Sequence, residues 1–181
     1  MCIRDSSQYG STKQYAQWLA TSLQANLLEA AAVQPKDLTN HQIILFGGGL
    51  YAGKINGLRL ITENMIRLQG KAVIVFAVGI SDPSVPGRSQ QLLEKNFSPA
   101  QQGQIRFFQL RGDLDYTKLK ALHRLMMAML KRQTAKKPLS QQTLEDRQLL
   151  ATYRQAVRWI DQRTLEPILS YVKGLELQKQ Q

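Results

Sequence analysis

The chain has 181 residues, 43% of them hydrophobic, which is enough for one folded domain and excludes global disorder. Lys and Arg number 24 against 13 Asp and Glu, so the net charge of +11 predicts a surface that attracts polyanions. With Cys2 as the single cysteine and only two histidines, the sequence excludes disulfide frameworks, cysteine-rich zinc sites and iron–sulfur clusters.

The first five residues have the pattern of neither a strand nor a signal peptide. Charged residues follow Ile3 at once, and the apolar central region of a signal peptide is absent. We therefore interpret residues 1–5 as a non-native or truncated leader and residues 6–181 as the domain. Cys2 is then expected to carry no functional weight.

Short apolar runs alternate with segments of helical spacing along the rest of the chain. Strands are predicted at 27–33, 43–46, 72–78 and 105–110, and helices at 11–23, 57–68, 89–97 and over most of the chain beyond 116. This alternation predicts an α/β fold with a parallel sheet. Ligands of such sheets bind beyond the carboxyl ends of the strands, so the loops after the strands are the candidate sites.

The first candidate loop, Ser6 to Thr12, combines hydroxyl groups with the start of a helix. Successive backbone N–H groups and the helix dipole favour a dianionic phosphate there. An ordinary helix start capped by serine and threonine is the equally plain alternative.

The second candidate loop, Gly47 to Lys54, contains three consecutive glycines and Tyr51. Gly48 to Lys54 fits the G-x-x-x-x-G-K pattern of a triphosphate loop, but Ile55 stands where a magnesium-binding hydroxyl is needed, which disfavours that interpretation. Glycines beside an aromatic residue favour a flat ring lying against the backbone. A tight turn from strand to helix remains the alternative.

The third candidate loop, Val78 to Pro83, follows the strongest predicted strand. Its residues alone indicate only a turn. Its place after a neighbouring strand allows it to close on the same ligand from the opposite side.

Together, the three loops resemble those of the flavodoxin family. The resemblance runs from Ser6 to about Val172 and implies a three-layer α/β/α sandwich with a sheet of order 2-1-3-4-5, a truncated first strand and a helical C-terminal extension. It also implies FMN as the cofactor, with no catalytic side chain and no metal. The implied phosphate-binding residues are Ser7, Gln8, Tyr9, Gly10, Ser11 and Thr12. The implied residues on the two faces of the flavin ring are Gly48, Gly49, Leu50, Tyr51, Ala52 and Gly53, and Gly79, Ile80, Ser81 and Asp82.

Within the family, the chain is similar to the flavodoxin-domain branch that includes the menaquinone-dependent protoporphyrinogen oxidases. The similarity lies in Phe108 to Asp113 and in the methionine-rich basic helix that follows. It implies an FMN-dependent redox protein, acting either in electron transfer or as an oxidoreductase, with a quinone among the candidate partners.

The segment 113–140 is predicted to be a basic helical insertion or extension. A helical wheel of its centre puts apolar residues on one broad arc and Lys120, Arg124 and Lys131 on the other side. The apolar arc consists of Leu119, Leu122, Leu125, Met126, Met129 and Leu130. Burial of this arc against the sheet or a neighbouring helix is one interpretation, and His123 on its border is then a packing residue.

Contact of the same helix with a membrane surface, a quinone or an acidic partner is the other interpretation. It supports an alternative function, a non-catalytic module that docks on an anionic partner. Nucleic acid is disfavoured, because no stacking aromatic residues alternate with the basic ones. The longest apolar stretches are shorter than the roughly 18–20 residues that cross a bilayer, and we expect a cytoplasmic protein, at most peripheral to the membrane.

Overall fold

The computed structural model describes residues 2–6, 10–29, 35–116, 119 and 121–178. Six strands build the main sheet: β1 (Cys2–Ser6), β2 (Asn26–Glu29), β3 (Ile43–Tyr51), β4 (Lys54–Ile55), β5 (Ala72–Gly79) and β6 (Ile105–Arg111). Five of them are parallel and lie in the order β2-β1-β3-β5-β6, while β4 pairs antiparallel with the end of β3. Two further strands, β7 (Leu114–Asp115) and β8 (Ala156–Val157), form a separate antiparallel pair.

Eight α-helices accompany these strands in the part of the chain that the structure describes. They are α1 (Ser11–Ser22), α2 (Pro35–Thr39), α3 (Arg59–Thr62), α4 (Arg88–Asn96), α5 (Pro99–Gln102), α6 (Ala121–Ala135), α7 (Leu144–Ala151) and α8 (Glu166–Gln178). Short 3-10 helices lie at Met65–Leu68, Leu139–Gln141 and Gln162–Leu165. Among the described residues, no helix is both long and apolar enough to cross a membrane.

The sheet is buried on both faces, and successive residues of its central strands enter two different cores. In β5, Ile74 and Phe76 pack with α1 and α8, whereas Val73 and Val75 pack with the layer that contains α3. This alternation follows from the two-residue period of a strand, and burial on both faces is typical of a parallel sheet. The predicted three-layer α/β/α fold is confirmed.

The first residues of the chain form a strand, so the prediction that they could not was wrong. Residues Cys2–Ser6 lie between β2 and β3, with Ile3 opposite both Leu27 and Leu45. The ladders on both sides use main-chain N–H and C=O groups, which any residue except proline supplies in full. The pattern of side chains alone therefore failed to predict that this segment forms a strand.

Two other predicted elements are shorter than expected. The strand predicted at 27–33 is confined to Asn26–Glu29, and residues 30–34 lie outside the described ranges. The helix predicted at 57–68 is divided between α3 and the 3-10 helix that follows it. The interruption falls at Asn64, whose φ of −111° is not helical.

A long segment, 112–165, connects β6 to α8 and extends past the predicted basic segment 113–140; we call it the excursion. The excursion contains β7, α6, α7 and β8 before α8 returns to the sheet. Its far end is attached through Asp113, whose carboxylate accepts hydrogen bonds from the backbone N–H groups of Trp159 (2.6 Å) and Ile160 (3.0 Å). The Tyr15 hydroxyl adds a second attachment, donating to Arg111 O (2.9 Å) and accepting from Asp161 N (3.1 Å).

Candidate functional site

A cavity of about 680 Å³ opens at the carboxyl edge of the parallel sheet. This volume lies within the range of about 300–1,000 Å³ that is typical of small-molecule sites. Its walls come from the start of α1, from the segments after β3, β5 and β6, and from α4 and α6. Of the residues predicted to bind a cofactor, those that line it are Ser11, Thr12, Gly49, Leu50, Tyr51, Ala52, Gly53, Gly79, Ile80 and Ser81.

Three predicted residues that the structure describes stand outside the cavity wall. Gly10 precedes the lining residues of α1, Gly48 lies within β3, and Asp82 follows the last lining residue of the third loop. A Cβ on Gly48 would lie 2.4 Å from Ile55 Cγ2, so this glycine serves packing under the loop. Ser7, Gln8 and Tyr9 lie outside the described residues.

The end of the cavity at α1 has the features of an anion site. Gly10, with a φ of 94°, leads into the helix and has no side chain to cap it. Thr12 is buried in the first turn, and the Ser11 hydroxyl accepts a hydrogen bond from Asp113 N at 3.0 Å. The first-turn amide groups and the helix dipole favour negative charge at this end.

The second loop is a β-hairpin, so the triphosphate-loop interpretation and the strand-to-helix turn are both wrong. Strand β3 continues to Tyr51, which pairs with Lys54 of β4. The two turn residues, Ala52 and Gly53, have φ values of 50° and 76°, as a tight two-residue hairpin turn requires. Lys54 thus lies in a strand, whereas the lysine of a triphosphate loop begins a helix.

The C-terminal end of helix α4 holds this hairpin through hydrogen bonds. The Asn96 side chain donates to Gly53 O at 2.8 Å and accepts from Ile55 N at 3.0 Å. Lys95 Nζ donates to Ala52 O at 2.9 Å, and Lys54 Nζ donates to Lys95 O at 2.7 Å. Hydrogen bonds to both turn carbonyls make the hairpin a fixed wall of the cavity.

Two glycines allow the loops after β5 and β6 to come close to their neighbours. A Cβ on Gly79 would lie 2.9 Å from Leu50 Cδ1, and one on Gly112 would lie 2.8 Å from Val78 Cγ1. Gly112 N also donates to Gly79 O at 2.7 Å. A larger residue at either position would require Leu50 or Val78 to shift.

Helix α6 forms a wall of the cavity that the sequence did not predict. Its His123 ring stacks on Tyr51, with centroids 5.3 Å apart and ring planes 22° from parallel. Further cavity residues that sequence reasoning missed are Arg88, Gln91, Leu92 and Lys95 of α4, Gly112 to Leu114, Leu119, and Met126, Met127, Met129, Leu130 and Gln133 of α6. The spacing of Arg88, Gln91 and Lys95 on one helix face was a signal that could have found part of this set.

The apolar arc of α6 is largely exposed, so the interpretation that it is buried against the sheet or a neighbouring helix was wrong. Leu122 is 65% exposed, Leu125 is 60% exposed and Met129 is 54% exposed. Leu119 is the exception, since it is buried in a small cluster with Leu114 and Tyr116, against which Met127 packs. The arc stays open because α6 lies along the cavity rim and not on the sheet.

The three basic residues predicted to flank this arc differ in their surroundings. Arg124 is exposed, and Lys120 lies outside the described residues. Lys131 is half-buried, with Nζ 4.5 Å from the centre of the Tyr153 ring, a cation–π geometry. Lys131 therefore contributes to holding α6 in place.

Asp82, at the end of the third loop, lies among groups that favour its ionised carboxylate. The hydroxyl and backbone N–H of Ser84 donate to the Asp82 carboxylate at 2.7 and 2.9 Å, and the Arg111 guanidinium lies 3.4 Å from it. The hydrogen bonds from Ser84, and to a smaller extent the charge of Arg111, hold the pKa of Asp82 below its ordinary value. In the described ranges, no three His, Cys, Asp or Glu side chains come together as a metal site.

Comparisons with known proteins give a family match and several structural likenesses. The model of the flavodoxin domain family matches residues 3–141. A flavodoxin from the domain Archaea is 14% identical, with 68% of this chain and 91% of that chain covered and a TM-score of 0.43. The two-electron reduced flavodoxin of Megasphaera elsdenii is 14% identical over 60% of this chain and 83% of that chain, with a TM-score of 0.44. A WrbA-like flavodoxin from Agrobacterium tumefaciens is 20% identical over 58% and 73%, with a TM-score of 0.43. No curated protein matches the sequence.

We expect Asn96→Ala to lower the free energy of unfolding by about 1–3 kcal/mol, because Ile55 N–H and Gly53 C=O lose their partner. Asn96→Asp keeps an acceptor for Ile55 N–H and should lie between Asn96→Ala and the wild type. The measurement is urea unfolding followed by circular dichroism. Gln90→Ala, on an exposed part of the same helix, is the control, and equal effects of Asn96→Ala and Gln90→Ala would contradict the anchoring role.

Proposed function

The chain belongs to the flavodoxin domain family, and on that premise we propose that it binds FMN non-covalently and acts as a redox protein. The observation that carries the proposal is that the start of α1 and the carboxyl ends of β3, β5 and β6 converge on one cavity of about 680 Å³. This edge of a parallel sheet is where open α/β folds bind their ligands. The flavin, when bound, supplies the electron-transfer chemistry, and the protein supplies binding, orientation and electrostatics.

The residues at the two ends of the cavity fit the two ends of FMN. The start of α1, with Ser11 and Thr12, suits the doubly charged phosphate, because amide groups and the helix dipole both favour an anion. Leu50 and the hairpin turn on one side and Gly79 to Ser81 on the other suit a flat ring.

No side chain is required as acid, base or nucleophile in this proposal. The tasks of the chain are to hold the phosphate at α1, to keep the hairpin wall fixed through Asn96, and to exclude solvent from the ring through the apolar wall of α6. Arg88 and Lys95 add positive charge along the α4 wall. Positive charge near a flavin favours its reduced, anionic form.

A finer proposal names the electron partners: protoporphyrinogen as donor and a quinone as acceptor. It is supported by the similarity of Phe108 to Asp113 and of the following helix to the corresponding parts of the menaquinone-dependent protoporphyrinogen oxidases. The exposed apolar arc of α6 gives it a physical basis, since Met126 and Met129 belong both to this arc and to the cavity lining. Methionine side chains adapt to flat apolar partners.

The Ser11→Asp variant tests the FMN proposal. A carboxylate in the first turn is favourable for helix α1 but repels a phosphate, so we expect FMN to bind at least about tenfold more weakly, with riboflavin binding little changed. Quenching of flavin fluorescence measures both affinities. Gln17→Glu, which adds the same charge at an exposed position of α1, should leave both affinities unchanged.

A wild-type protein that emerges colourless and takes up no FMN when offered an excess would end the redox assignment. Equal loss of FMN and riboflavin in Ser11→Asp would instead contradict the placement of the phosphate at α1.

The finer proposal is tested by an anaerobic assay in which FMN-loaded protein is mixed with protoporphyrinogen and a water-dispersed menaquinone. We expect porphyrin fluorescence to keep rising beyond the amount that the bound FMN alone can oxidise only when protein, FMN and quinone are all present, because each FMN accepts two electrons and the quinone must reoxidise it. Free FMN with quinone is the control. Porphyrin formation no faster than in that control would restrict the function to electron transfer with other partners.

We propose, as a second candidate function, that α6 docks the protein on an anionic membrane surface. The observation that favours it is the exposed apolar arc of α6, with Leu122 and Leu125 at its outer side and Arg124 exposed nearby. The segment from Arg111 to Lys137 holds eight basic residues against two acidic ones, so more than half of the net charge lies here. Apolar residues flanked by basic ones are typical of helices that lie at a lipid interface.

The double variant Leu122→Gln/Leu125→Gln should lose binding to phosphatidylglycerol vesicles, because it removes the apolar part of the interface and keeps every charge. Flotation with the vesicles measures the bound fraction. The matched control is Ile66→Gln/Leu177→Gln, which changes two exposed apolar residues elsewhere and should bind like the wild type. Equal flotation of both variants would contradict the docking role of α6.

A further inference from the structure

The guanidinium group of Arg111, at the end of β6, joins three separate parts of the chain. Its Nε donates to Ile80 O at 3.3 Å, and Nη1 lies 3.4 Å from the Asp82 carboxylate. On its other side, Nη2 donates to Gln148 Oε1 of α7 at 2.8 Å. The guanidinium carbon lies 4.1 Å from the centre of the Trp159 ring. One side chain thus links the third loop to the far end of the excursion.

The partly buried surroundings of Arg111 strengthen these contacts. Its side chain is only 18% exposed, so its charge is shielded from most of the solvent. Charge-assisted hydrogen bonds and cation–π contacts both strengthen as solvent is removed. The contacts also use the planar, multiply donating guanidinium, which the single ammonium group of lysine does not reproduce.

Residues of β6 and the residue after it donate hydrogen bonds to the backbone of the third loop. Three consecutive loop carbonyls each receive one donor: Gly79 O from Gly112 N at 2.7 Å, Ile80 O from Arg111 at 3.3 Å, and Ser81 O from the Gln109 side chain at 3.3 Å. Gly79, Ile80 and Ser81 all line the cavity. The contact between Arg111 and Ile80 O therefore helps to fix the backbone of a segment that lines the cavity.

We propose that Arg111 is a positioning residue that fixes the cavity loop 79–82 and couples it to the C-terminal part of the excursion through Gln148 and Trp159. Both of these residues lie beyond the stretch 3–141 that the family model matches. The C-terminal segment is then an integral part of the flavin site, although it supplies no residue of the cavity lining. The effect on flavin rests on the proposed function, whereas the effect on the loop does not.

Trp159 itself is held independently of Arg111. Its backbone N–H donates to the Asp113 carboxylate at 2.6 Å, and Ile160 N donates to the same oxygen. Removing the guanidinium should therefore leave the C-terminal segment attached while releasing the loop. This separation allows the loop to be tested without loss of the fold.

The experiment compares Arg111→Gln and Arg111→Lys with Arg106→Gln. Arg106 lies on the same strand and packs over Phe108 and Tyr171, away from the cavity, so it controls for loss of a β6 arginine. Hydrogen exchange of the loop amides is measured in the FMN-free protein. FMN affinity and the visible spectrum of the bound flavin are measured in the loaded protein.

Both Arg111 variants should exchange faster at residues 80–82 and bind FMN about tenfold more weakly with an altered spectrum, while Arg106→Gln changes neither. Gln148→Ala, from outside the cavity, should give a smaller change of the same kind. If Arg111→Gln fails to fold, Arg111→Lys and Gln148→Ala provide the same comparison.

Unchanged loop exchange in folded Arg111 variants, or equal changes in Arg106→Gln, would overturn the proposal. An Arg111→Lys variant that behaves like the wild type would overturn the role of the guanidinium geometry. Failure of the wild type to bind FMN would contradict the proposed function alone, because the exchange measurement in FMN-free protein still decides whether Arg111 positions the loop.

Discussion

The main-chain ladder on both sides of β1 is the constraint on which the rest of this structure depends. Strand β1 pairs with β2 on one side and with β3 on the other, which places the start of α1 beside the ends of β3, β5 and β6. Parallel strands end at the same edge, so the start of α1 meets the loops after β3, β5 and β6 only if β1 lies inside the sheet, next to β3. The end of the cavity at α1 and its end at the β3–β4 hairpin are brought together by this one alignment.

The excursion between β6 and α8 completes the site from outside the sheet. It is attached at its base by hydrogen bonds of Tyr15, Arg111 and Asp113, which connect α1, the end of β6 and the segment before α8. From this base, α6 extends along the rim of the cavity and contributes its inner face to the lining. The excursion is thus both a wall of the cavity and the carrier of an exposed apolar surface.

The position of α6 at the cavity rim explains why its apolar arc is exposed. If the apolar arc of α6 packed fully on the sheet, the helix would close the cavity. With α6 at the rim the entrance stays open, and Leu and Met side chains of the arc are exposed. Contiguous apolar surface of this kind is typical of interaction sites. Because Met126 and Met129 belong both to that surface and to the cavity lining, a partner bound to α6 would lie next to the ligand.

The sequence by itself determined the elements whose signal is local. The apolar run at Ala72 to Val78 predicted β5, the apolar spacing after Gly10 predicted α1, and the glycine- and hydroxyl-rich loops after the strands identified ten residues of the cavity wall. Only the tertiary structure decided that Cys2–Ser6 form an interior strand between β2 and β3, that Tyr51 and Lys54 pair in a hairpin, and that α6 lies on the rim. The physical reason is that backbone hydrogen bonds between strands carry no side-chain signature, and that an amphipathic arc specifies an apolar neighbour without specifying which surface provides it.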